Sequence, residues 1–168
     1  VADADANTGG LKVVPGVDLT VDASTISGNT VTARAVGSRG DAVASIGGGS
    51  LSGIVTNTVF EGNAAIAISR GGDASAAVGG VTLGGTLADC TIAGNTVHAE
   101  APRGTVTAFG GGVWVAEEPM TLRGTEVRDN VVTAKGSSGT ARGGGIYDGQ
   151  NEGGWGPSDL TLIDSRIT

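Results

Sequence analysis

A single cysteine, Cys90, leaves this chain with no possible internal disulfide. With only one histidine beside it, His98, a zinc site built from Cys and His ligands is also excluded. Aromatic residues make up 3% of the 168 residues, and there are 4 prolines. So few aromatics argue against the four-stranded blades of a propeller. So little proline, without a Gly-X-Y period, argues against collagen. No apolar run approaches the ~20 residues of a transmembrane helix. The basic residues are scattered singly, as at Lys12, Arg34, Arg70, Arg103, Arg123 and Arg128, so no basic stripe is available to bind nucleic acid. A net charge of −7 disfavours an anionic membrane surface as well. The sequence opens at Val1 without Met, a basic n-region or an apolar h-region, which reads as a processed chain or a piece of a longer one.

What is abundant is glycine, 32 residues of 168, against a usual share of about 7%. Val, Ile, Thr and Ala fill the stretches between the glycines. Such a chain suits many short strands joined by tight turns.

Two landmarks recur. Four segments align on an asparagine: Ser24-Thr25-Ile26-Ser27-Gly28-Asn29, Thr58-Val59-Phe60-Glu61-Gly62-Asn63, Cys90-Thr91-Ile92-Ala93-Gly94-Asn95 and Thr125-Glu126-Val127-Arg128-Asp129-Asn130. The asparagines lie 34, 32 and 35 residues apart. Glycine clusters recur at Gly9-Gly10, Gly47 to Gly49, Gly79-Gly80, Gly110 to Gly112 and Gly143 to Gly145, their last members 39, 31, 32 and 33 residues apart. Apolar residues hold fixed offsets from each asparagine: Ile26, Phe60, Ile92 and Val127 three before it, Val21, Val55, Leu87 and Leu122 eight before it, and Val31, Ala65, Val97 and Val132 two after it. Leu11, Val81, Val113 and Ile146 follow the glycines, with Leu51 one place late in the second repeat. Short alternating runs split by Gly and Asn read as strands split by turns.

A period near 33 residues with three short strands is one turn of a parallel β-helix, whose apolar columns are buried only when coils stack. The expected fold is therefore all-β, a right-handed parallel β-helix of about four coils of 31–39 residues. It forms a single segment, 1–168: a partial coil 1–18, coils at about 19–53, 54–85, 86–119 and 120–159, and a partial coil 160–168. Asn29, Asn63, Asn95 and Asn130 are expected to form an internal ladder at a sharp turn, because Asn tolerates left-handed backbone angles and stacked amides hydrogen-bond along the axis.

Phe60-Glu61-Gly62-Asn63 resembles the FxxN tetrapeptide of the polymorphic outer-membrane protein repeats, and Gly143-Gly144-Gly145-Ile146 resembles their GGA[ILV] tetrapeptide. The pattern is also similar to the glycine-rich β-helix repeats of large bacterial surface proteins. The other coils place Ile26, Ile92 and Val127 where the first motif has Phe. The resemblance implies a secreted β-helical passenger or stalk, often adhesive.

The candidate sites are few. Cys90 aligns with Ser24, Thr58, Thr125 and Ser165, a small column, and reads as a packing residue rather than a nucleophile. His98 aligns with Thr32, Ile66 and Thr133 on the outward face. Asp3-Ala4-Asp5-Ala6-Asn7 begins like a calcium loop but has Thr8 where the sixth-position Gly belongs, and reads as a polar loop. Trp114 and Tyr147 share an outward column with Lys12 and Thr82 and are expected to form a flat exposed patch. Glu117 and Glu118 follow the first, Asp148 and Glu152 the second, and Trp155 lies in a nearby loop. Rings beside carboxylates suit sugar, the rings stacking on sugar faces and the carboxylates accepting from hydroxyls. The competing reading is a cross-strand pair that only stabilises the sheet.

These features lead to a non-catalytic extracellular or cell-surface module, a stalk or adhesin, with a host or environmental glycan or protein as partner. No cofactor or metal is expected, and no nucleic acid or membrane insertion by this segment. The alternative is a lyase or glycoside hydrolase on the same scaffold, although no GHG, paired Asp-Asp or RxPxxR signature is present. Neither end carries an evident cap, so a longer helix or end-to-end stacking of copies is expected.

Overall fold

The computed structural model describes residues 2–13, 17, 19–115, 119–149 and 159–168. Among these there is no helix, and parallel strands stack into a β-solenoid of about four turns.

Among the described residues, twenty strands fall into three sheets. The first sheet holds β1 (Ala4–Ala6), β5 (Thr30–Ala35), β6 (Ala42–Ser45), β9 (Ala64–Ser69), β10 (Ala74–Ala77), β13 (Thr96–Phe109) and β17 (Val131–Arg142). The second holds β2 (Leu11–Lys12), β3 (Leu19–Asp22), β7 (Gly49–Thr56), β11 (Val81–Ala88), β14 (Val113–Val115), β15 (Met120–Arg123), β18 (Ile146–Asp148) and β19 (Leu160–Ile163). The third holds β4 (Thr25–Ser27), β8 (Val59–Glu61), β12 (Thr91–Ala93), β16 (Glu126–Arg128) and β20 (Arg166–Ile167). Every pair is parallel and joins one coil to the next, as in Ile26 opposite Phe60 and Ile92 opposite Val127.

The coil has two unequal halves. The second and third sheets enclose a lobe filled by Leu51, Val55, Phe60, Leu83, Leu87, Ile92, Met120, Leu122 and their neighbours. The first sheet doubles back on itself. Its two arms, such as β5 and β6 or β9 and β10, pack face to face through Ala33, Ala35, Ala42, Ala44, Ala67, Ala74 and Ala76. In the third coil both arms belong to the one strand β13, whose register against β17 shifts between Ala101 and Thr105 where the chain folds over. This half is a thin fin, because alanine methyls fill most of the space between the two backbones.

A neck joins lobe to fin, and both sequence landmarks lie on it. Asn29, Asn63, Asn95 and Asn130 stand where the third sheet passes into the first. Nδ2 of Asn29, Asn63 and Asn95 donates to the Oδ1 of the asparagine in the next coil, at 3.0, 3.0 and 2.9 Å. The same Oδ1 accepts the preceding asparagine's backbone N–H, at 3.1, 3.0 and 2.9 Å. Nδ2 of Asn63, Asn95 and Asn130 also donates to the carbonyls of Ile26, Phe60 and Ile92. At Asn63 and Asn95 both amide protons are thus used, as burial demands. Across the neck runs the glycine column. A Cβ at Gly48 would collide with the Gly80 carbonyl oxygen and lie 3.1 Å from Asn63 Nδ2. One at Gly47 would lie 2.6 Å from the Ala64 carbonyl carbon. Backbone and amide approach here too closely for any side chain.

Two expectations change. Residues 3–7 are not a polar loop: Ala4–Ala6 is strand β1, and Asp3 Oδ1 accepts the Asp41 N–H at 3.0 Å. Their alternation of Asp with Ala is that of an edge strand with Ala4 and Ala6 packed against the fin. Nor does Leu51 sit one place late. The position opposite Leu11 and Val81 is Gly49, and Leu51 pairs with Leu83. The vacancy left by Gly49 is taken by Phe60, whose ring would lie 3.3 Å from a Cβ there. The one Phe of its column thus offsets the one Gly of the next.

Candidate functional site

Trp114 and Tyr147 lie opposite one another on β14 and β18, in the column of Ser50 and Thr82. Their rings are half-buried and do not make a flat exposed face. The reason is Phe109, at the end of β13, which the aromatic column does not contain. Its ring meets Trp114 edge-on, with centroids 5.3 Å apart and planes at 69°, and Tyr147 at 5.1 Å and 44°. The three rings gather at the corner where the chain leaves the fin, turns through Gly110 to Gly112 and enters the lobe. Phe109 is preceded in its own column by Ala77 and followed by Arg142. Nothing in the spacing couples it to Trp114. The available signal was its place directly before a glycine cluster whose next strand opens with Val113-Trp114.

The corner is rebuilt to seat these rings. The chain takes a left-handed residue there in every full coil: Ile46 (φ 53°), Val78 (φ 55°), Gly110 (φ 69°) and Gly143 (φ 62°). That conformation is costly for β-branched Ile and Val. Four residues on stand Ser50, Thr82, Trp114 and Tyr147 respectively. A Cβ at Gly110 would lie 3.2 Å from that of Trp114, and one at Gly143 2.5 Å from that of Tyr147. Coils with a small residue in the outward column carry Ile or Val at the turn, and coils with a ring carry Gly. The Trp114 indole Nε1 is itself buried without a hydrogen-bond partner among the described residues, and a Cβ at Gly149 would lie 2.7 Å from it.

The predicted carboxylates do not all join the rings. Asp148 is exposed but falls in the column of Val115, so alternation along β18 sends its side chain to the opposite face from Tyr147. Glu117, Glu118, Glu152 and Trp155 lie outside the described residues.

A carboxylate column that the sequence reading missed lies on the fin. Asp3, Asp41 and Asp73 stack coil on coil, and Thr105 follows. Asp41 Oδ1 accepts the Asp73 N–H, and Asp73 Oδ1 the Thr105 N–H, both at 2.7 Å. Gly72 makes room, since a Cβ there would strike Asp41 Oδ1. The repeated dipeptides Gly40-Asp41, Gly72-Asp73 and Gly104-Thr105 were the signal. The side chains of Asp41, Val43, Asp73, Ser75, Thr105 and Thr107 line a shallow cavity of about 260 Å³ on this face.

Cys90 and His98 occupy the expected columns. Thr58, Cys90 and Thr125 are buried, and the Cys90 thiol donates to the Ala88 carbonyl at 3.2 Å as the Thr58 hydroxyl does to Thr56 at 2.8 Å. Burial pushes the thiol pKa up. His98 Nε2 lies 3.4 Å from Glu100 Oε2 on the outward face, opposite Ile66 and Thr133. Among the described residues, no group of three or more His, Cys, Asp or Glu side chains is placed to hold a metal ion.

This geometry defines a class, the parallel β-solenoid, carrying an aromatic corner beside a polar groove. Compared with known proteins, the chain matches no family model, no curated protein and no solved structure.

Proposed function

We propose that the chain is a non-catalytic glycan-binding segment of an extracellular stalk or adhesin, of the kind the FxxN-like and GGA[ILV]-like tetrapeptides suggest. The observation that carries this reading is the corner of Phe109, Trp114 and Tyr147. Three of the few aromatic residues in the chain converge there, and two coils give up a bulky turn residue to Gly to accommodate them. Half-exposed rings at a rigid corner offer a sugar ring an apolar face, the usual anchor of carbohydrate recognition. The fixed scaffold lowers the ordering cost of binding.

A glycan array tests this. The parent chain binds a restricted set of glycans, and Trp114→Ala with Tyr147→Ala loses them while the solenoid still melts cooperatively. A parent that binds nothing on a broad array refutes the reading. The surface role is checked separately: antibody to this segment labels intact cells of the source organism, and labelling only after lysis refutes it.

Asp41 and Asp73 favour a second reading. They stand one coil apart, ~4.8 Å, close to the ~5–5.5 Å of a retaining glycosidase pair. Each already holds a backbone N–H, and both side chains are exposed, a setting that supports a structural use. Release of reducing ends from a bound glycan would establish the hydrolase instead.

A further inference from the structure

We infer that the ligand is a neutral oligosaccharide of about three sugar residues, laid along β13 from the fin groove to the aromatic corner; this rests on the glycan-binding reading above. The outward residues of β13 alternate as Thr105, Thr107 and Phe109, with Val106 and Ala108 buried between them. The row that lines the groove is therefore the row that ends in the ring touching both Trp114 and Tyr147. From Thr105 to Phe109 is four residues, roughly 13 Å along a strand, enough for a short sugar chain. The groove's 260 Å³ is below the ~300–1,000 Å³ of a pocket that encloses a whole small molecule. It suits one part of a longer ligand whose remainder lies on the corner.

The lining chooses the chemistry. Ser75, Thr105 and Thr107 offer hydroxyls that donate or accept. The carboxylates of Asp41 and Asp73 offer acceptors and no donor, and the backbone N–H bonds they receive fall on Oδ1. An ionised carboxylate has about four lone-pair sites, so each retains acceptor capacity for a donor from outside. Sugar hydroxyls supply such donors. A uronate would instead bring its own negative charge against both aspartates, in a chain of net charge −7. Val43, 39% exposed, gives the groove an apolar wall for a ring face.

The test is calorimetric titration of the intact chain with neutral gluco- and manno-oligosaccharides of increasing length, beside oligogalacturonates of matched length. Affinity for a neutral series rises by about tenfold per residue that gains a contact, equivalent to roughly 1.4 kcal/mol, and levels off near three residues. Thr107→Arg, an outward substitution in the groove, abolishes the gain with length but leaves the weak binding of the shortest sugar. Phe109→Ala loses both. Should Thr107→Arg fail to fold, Ser75→Lys blocks the same groove from the adjacent coil. Binding that is indifferent to length and to both groove variants overturns the inference and leaves the corner as the whole site, with the glycan reading intact. Oligogalacturonate binding as tight as neutral sugar also overturns it. No binding by any of these sugars overturns the inference, and silence on the array as well removes the reading beneath it.

Discussion

The lobe and the fin are two solutions to burying the inside of one coil. The lobe is wide and is filled by large side chains of different shape, so a change in one column is met by a change in another, as Phe60 meets Gly49. The fin is as narrow as two apposed strands allow, and its buried row is alanine in almost every coil, with Val31, Val97 and Val106 near its margins. Variety is tolerated where there is depth; uniformity is required where there is none. The fin's outward face consequently repeats from coil to coil, while the corner nearest the lobe carries the irregular aromatic residues.

The largest expected effect is in the lobe. Phe60→Ala empties a site that is fully buried and is already short of atoms at Gly49, and costs about 3–5 kcal/mol in urea unfolding. Phe60→Ile alone leaves part of that cavity, and Gly49→Val alone strikes the Phe60 ring. Together the two rebuild the side chains found in the neighbouring coils. The double variant should recover stability, with a coupling energy of about 0.5–3 kcal/mol in the mutant cycle. Additive losses would show that the columns do not compensate, and that the lobe is no more adaptable than the fin.

The fin fails in the opposite sense. Ala76 is fully buried between the arms, and Ala76→Leu has no depth to enter, so it costs about 1–3 kcal/mol by overpacking. Substitution by Gly removes a single methyl and costs less. A Leu variant as stable as the parent would mean that the arms part easily and that the regular outer face is not enforced from within.

At the neck, Asn95→Ala breaks the ladder on both sides and leaves the Asn63 N–H and the Phe60 carbonyl without their amide partner. The expected cost is about 1–3 kcal/mol. His98→Ala, three residues on but outward and only 3.4 Å from Glu100, should change unfolding by less than about 0.5 kcal/mol. Equal effects would contradict the inside and outside faces described for this turn.

Legibility in the sequence follows the same division. The lobe was readable because its columns are large and apolar at fixed offsets: Ile26, Phe60, Ile92 and Val127 align without a structure. The neck was readable because Asn and Gly are strong local constraints, although their shared cause, contact across the neck, was not. The fin was hidden, because the alternation of Ala33, Ala35, Ala42 and Ala44 is a weak hydrophobic signal. Of the aspartate column only Asp3 stood out, as part of a polar loop, because Asp41 and Asp73 sit singly after Gly40 and Gly72. The aromatic site was half visible. Trp114 and Tyr147 share a column, which periodicity reveals; Phe109 joins them across a turn between two sheets, a contact no column alignment contains. Asp148 is next to Tyr147 in sequence but points to the other face, because alternation along a strand separates adjacent side chains.

The smallest expected effect lies in the hydroxyl column on the lobe's edge, where Cys90 stands among Thr58, Thr125, Ser24 and Ser165. Each of these hydroxyls donates to the carbonyl two residues before it, as Thr58 does to Thr56 and Ser165 to Ile163. Cys90 does so through its weaker S–H to Ala88. Cys90→Ser restores the column's own chemistry at nearly constant volume, so near neutral pH it should shift stability by less than about 1 kcal/mol. The two proteins should then separate with pH. Desolvation raises the folded thiol above its ordinary value of 9.0, whereas the unfolded chain ionises there. The parent keeps its full stability below that value and loses stability as pH rises through it toward the folded pKa. The serine variant has no such group. Urea midpoints measured from about pH 8 to about pH 10, a range that brackets the ordinary thiol pKa, should fall further for the parent than for Cys90→Ser. Parallel midpoints would show that the thiol ionises in place, and that this edge of the lobe admits water.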